Sequence, residues 1–126
     1  MFYMIGMKMS VVEWMKNIGE KLIGSSLKKE LPEFEQDEVR RYKIIFSGSV
    51  QGVGFRYEMW LIAEKLGLTG FVENLPNGNV QAEIQGMKNK VLYLMDYLKS
   101  IERIRIDKIE IDELELKEEK GFAAIY

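Results

Sequence analysis

Gly48-Ser49-Val50-Gln51-Gly52-Val53-Gly54-Phe55-Arg56 is the stretch on which the reading of this chain turns. An alternating apolar run precedes it and a helical stripe follows, so it reads as a strand end, a loop and the start of a helix. Its three glycines let the backbone turn tightly and approach a ligand with no side chains in the way. Successive amide N–H groups in such a loop point inward, and the helix start adds unpaired N–H groups and the positive end of its dipole. That is the makeup of an anion cradle. Arg56, at its lip, supplies a planar fork matched to two phosphate oxygens. By composition alone the loop also reads as a plain tight connection and Arg56 as a solvated surface group. No Gly-Lys-Ser/Thr follows, and the spacing is not that of a dinucleotide fingerprint, so the cradle points to a small phosphate and not to a nucleotide.

Outward from the cradle the periodicities are regular. Tyr42-Lys43-Ile44-Ile45-Phe46-Ser47 alternates, with Tyr42, Ile44 and Phe46 on one face, as a half-buried strand does. Phe55, Met59, Ile62, Ala63 and Leu66 recur at helical spacing until Gly67 stops the helix, and Trp60 falls off that stripe. Thr69 to Asn74 is a second strand, Leu75-Pro76-Asn77-Gly78 a turn, and Asn79 to Gln85 its hairpin partner, with Val80, Ala82 and Ile84 inward. Gly86 is expected to break that strand. A helix over about 88 to 100 buries Val91, Leu94, Met95 and Leu98. From Arg103 a long strand carries Ile104, Ile106, Ile109 and Ile111, and its parity slips, which predicts a bulge near Asp107-Lys108. A charged turn, Lys117 to Lys120, leads to a short last strand over 122 to 126. The order is βαββαβ with an extra C-terminal edge strand, an α+β arrangement whose antiparallel sheet carries both helices on one face.

The first 41 residues read differently. Ser10-Val11-Val12-Glu13 has a capping-box pattern, and Val11, Met15, Ile18 and Leu22 form an apolar stripe ending near Gly24. Such an N-terminal amphipathic helix is marginal alone and needs cover. The options are packing on the domain, self-association, or a membrane surface, the last disfavoured by the mixed charges of Lys16, Glu20 and Lys21. The open sheet face, where Ile45 and Phe71 are expected, is one place for it; a second copy of the stripe is another. Residues 25–41 read as a polar linker containing part of a helix, and Glu33, Glu35, Asp37 and Glu38 as a solvated run and not a metal site. The expected division is therefore a helical extension with charged linker over 1–41 and a globular domain over 42–126.

Composition narrows the chemistry. The chain has 126 residues, a net charge of -2, no cysteine and no histidine. An imidazole base, a histidine-ligated zinc, a Ser-His-Asp triad and thiolate chemistry are all excluded. The charge balance favours neither nucleic acid nor anionic membrane, and Gln81, Glu83 and Gln85 give the open sheet an outward row unsuited to RNA. No apolar run approaches the roughly twenty residues of a membrane span. Phe2 to Met7 is short and is followed by Lys8, so no secretory signal is expected and the cytoplasm is the default location.

The literal residues say more. Gly48-x-Val50-Gln51-Gly52-Val53-Gly54-Phe55-Arg56 closely resembles the signature of acylphosphatases. A second block matches at the expected distance, Leu66-Gly67-Leu68-Thr69-Gly70-Phe71-Val72-Glu73-Asn74 followed by Pro76-Asn77-Gly78-Asn79-Val80, and the chain end Gly121 to Tyr126 is a weaker third. The resemblance covers about residues 42 to 126. It implies a ferredoxin-like sandwich and an enzyme that hydrolyses small acyl phosphates to carboxylate and inorganic phosphate, with no metal or cofactor. Arg56 aligns with the family's phosphate-binding arginine and Asn74 with its water-orienting asparagine. The loop Gln51, Gly52, Val53, Gly54, Phe55 and Arg56 would bind phosphate, or sulfate in its place. Ser49, Phe71 and Ile125 depart from the family pattern, as does the missing Gly-Pro around Ser100-Ile101-Glu102.

The residue types suit that reaction. The carboxylate leaving group has a conjugate acid of pKa about 4, so its departure needs no strong general acid. What remains is to gather charge on the phosphoryl oxygens and hold a water in line. An asparagine amide cannot take a proton at neutral pH, yet it can hold a water by hydrogen bonds. Taken alone, Asn74 also reads as a turn or cap residue, Gln51 as a brace for the loop and Phe55 as core. The alternative for the whole chain is a non-catalytic ferredoxin-like module that binds a phosphorylated ligand or a partner.

Overall fold

Alternation between apolar and polar residues places an eleven-residue strand at the centre of the sheet: β2 (Val39–Ser49) buries Tyr42, Ile44 and Phe46 and leaves the residues between them to the other face. The computed structural model describes residues 7–10 and 31–126. Around β2 lie β1 (Met7–Ser10), α1 (Phe55–Leu66), β3 (Thr69–Asn74), β4 (Val80–Met87), α2 (Lys88–Lys99), β5 (Arg105–Leu114) and β6 (Phe122–Ile125). They form a six-stranded sheet in the order β1-β5-β2-β4-β3-β6. Every neighbouring pair is antiparallel except β3 with β6, which is parallel. Both helices pack on the face that carries Tyr42, Ile44 and Phe46, giving the ferredoxin-like α+β sandwich with its added edge strand. The expected N-terminal helix with the Val11, Met15, Ile18 and Leu22 stripe, and the cover or self-association assigned to it, lie outside the described residues.

The core follows the sequence pattern closely. Phe55, Met59, Ile62, Ala63 and Leu66 of α1 meet Val91, Leu94, Met95 and Leu98 of α2 over Val72, Val80, Ala82, Ile84, Ile109 and Ile111. Phe46 and Phe55 meet with ring centroids 5.0 Å apart and planes tilted by 57°, which ties the strand before the cradle to the helix after it. The parity slip in β5 is a bulge: Ser47 faces Lys108 while Gly48 faces Ile106, leaving Asp107 unmatched.

Three local readings need correction. Gly86 does not end β4; the strand runs on to Met87, and the glycine is there because a Cβ would stand 2.2 Å from Leu68 Cδ2. Met7–Ser10 is a strand opposite Ile111 to Lys108, although Ser10 read as a helix cap; four residues carry too little pattern to announce an edge strand. Residues 31–38 contain no helix and are not simply solvated. Phe34 meets Tyr93 edge-on at 5.5 Å, the Asp37 carboxylate accepts the Asn89 amide of α2 at 3.0 Å, and the Lys88 amide donates to the Glu38 carbonyl at 2.9 Å. The acidic run therefore caps α2 from a distance, where its dipole favours negative charge.

The face of the sheet opposite the helices is built around a buried cation. Arg41 is 1% exposed and donates to Glu83 (2.9 Å) and Glu119 (2.8 Å), while Gln85 exchanges hydrogen bonds with the backbone of Lys117. The charged turn before β6 is thereby folded back onto β2 and β4, and the outward polar row of β4 is partly spent on holding it.

Candidate active site

The loop from Val50 to Gly54 leaves the end of β2 and enters α1 with two left-handed residues, Gly52 at φ 74° and Gly54 at φ 81°. An L side chain is costly in that region, so glycine is what permits this path. Gly54 is also the residue that caps α1, and no side chain of the described residues closes the helix start. Among the described residues, none of the backbone amides from Gln51 to Arg56 donates a hydrogen bond to a protein acceptor. A run of uncommitted N–H groups at a helix N-terminus is the electrostatic requirement for holding an anion.

Two side chains fix the loop from either side. Gln51 turns away from the cradle and donates through Nε2 to the carbonyls of Leu75 (2.7 Å) and Asn79 (2.8 Å), so it binds the loop to the β3–β4 turn. Arg103 donates through Nε to the Val53 carbonyl at 2.6 Å and through Nη2 to Glu58 at 2.5 Å. Glu58 also accepts from the Tyr97 hydroxyl at 3.0 Å, a bond that together with burial pushes the Tyr97 phenol up to about 12. Burial is the larger cause.

A cavity of about 70 Å³ opens inside the loop, and Gly52, Gly54, Arg56 and Asn74 line it together with Val50, Phe55 and Tyr126. Asn74, the last residue of β3, reaches it from across the sheet, where it stands opposite Val80. Its carboxamide makes no hydrogen bond to another described residue. Arg56, in the first turn of α1, donates through Nη1 to the Ile125 carbonyl at 3.0 Å, and its Cζ lies 3.9 Å from the centre of the Tyr126 ring. No carboxylate pairs with Arg56 among the described residues. Gln51 and Val53 flank the cavity without lining it, and the Phe55 side chain is core.

Two contributors escaped the sequence reading. Arg103 lies fifty residues from Val53 in a connection with no motif, so only the folded chain brings it to the loop. Tyr126 lies just beyond β6, and its place over Arg56 follows from the parallel pairing of β6 with β3, which no local pattern announces. The isoleucine at position 125, unusual in the family pattern, holds Arg56 through its main chain, which any residue supplies.

A family profile described as Acylphosphatase matches residues 42–124, about two thirds of the chain. The chain belongs to the acylphosphatase family. An acylphosphatase of Clostridium beijerinckii is 54% identical over 59 residues, 47% of this chain and 66% of that protein. One of Ligilactobacillus salivarius is 37% identical over 93 residues, 70% of this chain and all of that protein. The crystal structure of the acylphosphatase from Bacillus subtilis superposes with a TM-score of 0.64 at 31% identity, covering 71% of this chain and 100% of that one. With this family and fold, the chain is an enzyme of acyl phosphate hydrolysis. The described part contains no helix long and apolar enough to cross a membrane.

Proposed function

We propose that the chain hydrolyses small acyl phosphates without a metal ion, with the cradle amides and Arg56 binding the phosphoryl group and Asn74 holding the attacking water. The observation that carries this reading is that Arg56 and Asn74, from α1 and β3, line one small cavity with the glycine loop. In it the phosphoryl oxygens accept from the amides of about Gln51 to Arg56 and from the guanidinium, which gather the charge of the transition state. The water oxygen attacks phosphorus in line with the acyl oxygen. The P–O bond to the acyl group breaks, its electron pair stays on the departing carboxylate, and the water's proton passes to a phosphate oxygen. No step needs a base stronger than phosphate, so a chain without histidine or cysteine suffices. Preorganisation comes from the hydrogen bonds by which Gln51 and Arg103 fix the loop from either side.

The test is turnover of acetyl phosphate by the purified chain, in the presence of EDTA, together with two variants. Arg56→Ala is expected to lose both turnover and competitive inhibition by inorganic phosphate. Asn74→Ala is expected to keep the phosphate inhibition constant within about threefold and to lose kcat by about 100-fold or more, the scale for a group that acts only in the transition state. Full activity in Asn74→Ala, or loss of wild-type activity in EDTA, would refute the assigned roles. A cytoplasmic setting, where acyl phosphates arise as activated carboxylates, fits this reading.

A further inference from the structure

An open groove of about 360 Å³ runs between α1 and β6, lined by Tyr57, Trp60, Phe122, Ala123, Ala124 and Tyr126. Its volume lies within the range of about 300–1,000 Å³ usual for small-molecule sites. Among the described residues no charged side chain lines it, and it gathers three of the large apolar residues left exposed: Tyr57 at 52%, Trp60 at 36% and Tyr126 at 80%. Tyr57 and Trp60 stand three positions apart on one side of α1, with ring centroids 6.0 Å apart and planes at 38°. The two alanines of β6 leave room between these rings and the sheet edge.

We propose that this groove is the acyl-group subsite and that it selects aromatic acyl phosphates over small aliphatic ones. The inference rests on the hydrolase reading above and adds a substrate class to it. The groove and the phosphate cradle share a wall: Tyr126 lines both, and its ring touches the guanidinium that faces the phosphoryl group. Arg56 and Tyr57 are consecutive on α1, so the step from the anion site to the first groove ring is one residue. An anhydride is a short bridge between a tetrahedral anion and a planar carbonyl, and the continuous wall gives each half a surface of matching chemistry. The aromatic lining favours a flat ring, by offset or edge contact with Tyr57 and Trp60, over a methyl group that reaches neither. A dicarboxylate finds no cation to pair with among the described residues that line the groove.

The test measures kcat/KM for benzoyl phosphate and acetyl phosphate in the wild type, Trp60→Ala and Tyr57→Ala. The expected result is a wild-type preference for benzoyl phosphate that falls about tenfold in each variant, while the acetyl phosphate value stays within twofold. A second readout uses a Trp14→Phe background, in which Trp60 is the sole tryptophan. The stable analogue benzoylphosphonate should shift its emission, and inorganic phosphate should not. If neither substrate turns over but the emission still responds to the phosphonate, the hydrolase reading fails and the substrate selectivity with it, and the groove stands only as the site that binds the aroyl half of the ligand. If both substrates turn over with a ratio that ignores Trp60, and the emission is silent, the groove assignment is overturned. It is likewise overturned if Trp60→Ala only dissolves a concentration-dependent dimer with selectivity unchanged, since the groove would then hold a second copy of the chain.

Discussion

The Arg103 guanidinium holds the Val53 carbonyl at 2.6 Å on the outer side of the cradle, while its other arm is fixed by Glu58. A carbonyl turned into that loop would present negative charge to a phosphate, and the bond to Arg103 occupies this one instead. Arg103→Ala is therefore expected to weaken inhibition by inorganic phosphate about fivefold to tenfold, with kcat changed less. Arg103→Lys restores a charge but not the fork and should rescue little. A melting temperature lowered by only a few degrees alongside that loss of affinity would distinguish loop positioning from general destabilisation, since an exposed arginine contributes about 1 kcal/mol to stability.

Gln51 acts on the other half of the site. Its two bonds, to the carbonyls of Leu75 and Asn79, flank the turn that begins where Asn74 ends. They set the distance between cradle and carboxamide. Gln51→Ala is expected to lower kcat by 10- to 100-fold, the scale on which a small misplacement of a reacting group is felt, and to leave the phosphate inhibition constant within about threefold. Equal losses in both constants would mean that Gln51 shapes the anion nest itself.

These two braces mark how far the sequence carried. Strands and helices over residues 42–125 were legible because apolar positions repeat at two or at 3.6 residues, whereas Val39 to Arg41 read as linker and belong to β2; the β5 bulge was legible because Ile106 and Ile109 break the parity. The glycine loop was legible because positive φ leaves its trace in residue type. Arg103, Arg41 and Asp37 were not, since each acts on a partner forty or more residues away and nothing local marks it. Gly86 misled for a related reason: its glycine answers to Leu68 across the fold and not to its own strand. Asn74 lay between these cases, a turn residue by its neighbours and a site residue by its match to a family.

The glycines themselves divide by what surrounds them. At Gly70, φ is 136° and a Cβ would fall 1.8 Å from the Glu83 carbonyl oxygen, a backbone atom that cannot step aside. At Gly52, φ is 74° and a Cβ meets no described residue within 4 Å. Gly70→Ala should destabilise the fold by more than about 3 kcal/mol, from backbone strain and overpacking together, and chemical denaturation would measure it. Gly52→Ala should cost only about 1–2 kcal/mol in the same experiment, yet weaken phosphate binding markedly, because its strain is relieved by moving the amides of the cradle. A Gly52→Ala variant with unaltered phosphate inhibition would place the anion elsewhere.

Two carboxylates give stability opposite dependences on pH. Asp96 of α2 is 2% exposed, its Oδ2 finds no hydrogen-bond partner among the described residues, and burial pushes its carboxyl from 3.8 up to about 6, against a weaker pull from Lys99. Its contribution is fully present below about 3.8 and is lost as pH rises through about 6, a difference of up to about 3 kcal/mol. Glu119 runs the other way. The hydrogen bond from Arg41 holds its carboxyl below the usual 4.5, so its contribution is present above that value and is lost as pH falls through the lowered one. Between about 4.5 and 6 the Glu119 contribution is in place while that of Asp96 is being lost, so these two groups together make stability fall as pH rises across that range. Asp96→Asn should raise the melting temperature by several degrees at pH 8, and that gain should vanish by pH 4, where the wild-type carboxyl is itself largely protonated. Glu119→Gln should lower the melting temperature at pH 8 and converge on the wild type in strong acid. A gain from Asp96→Asn that persists undiminished at pH 4 would mean that the asparagine packs better, and that the buried charge costs the fold little.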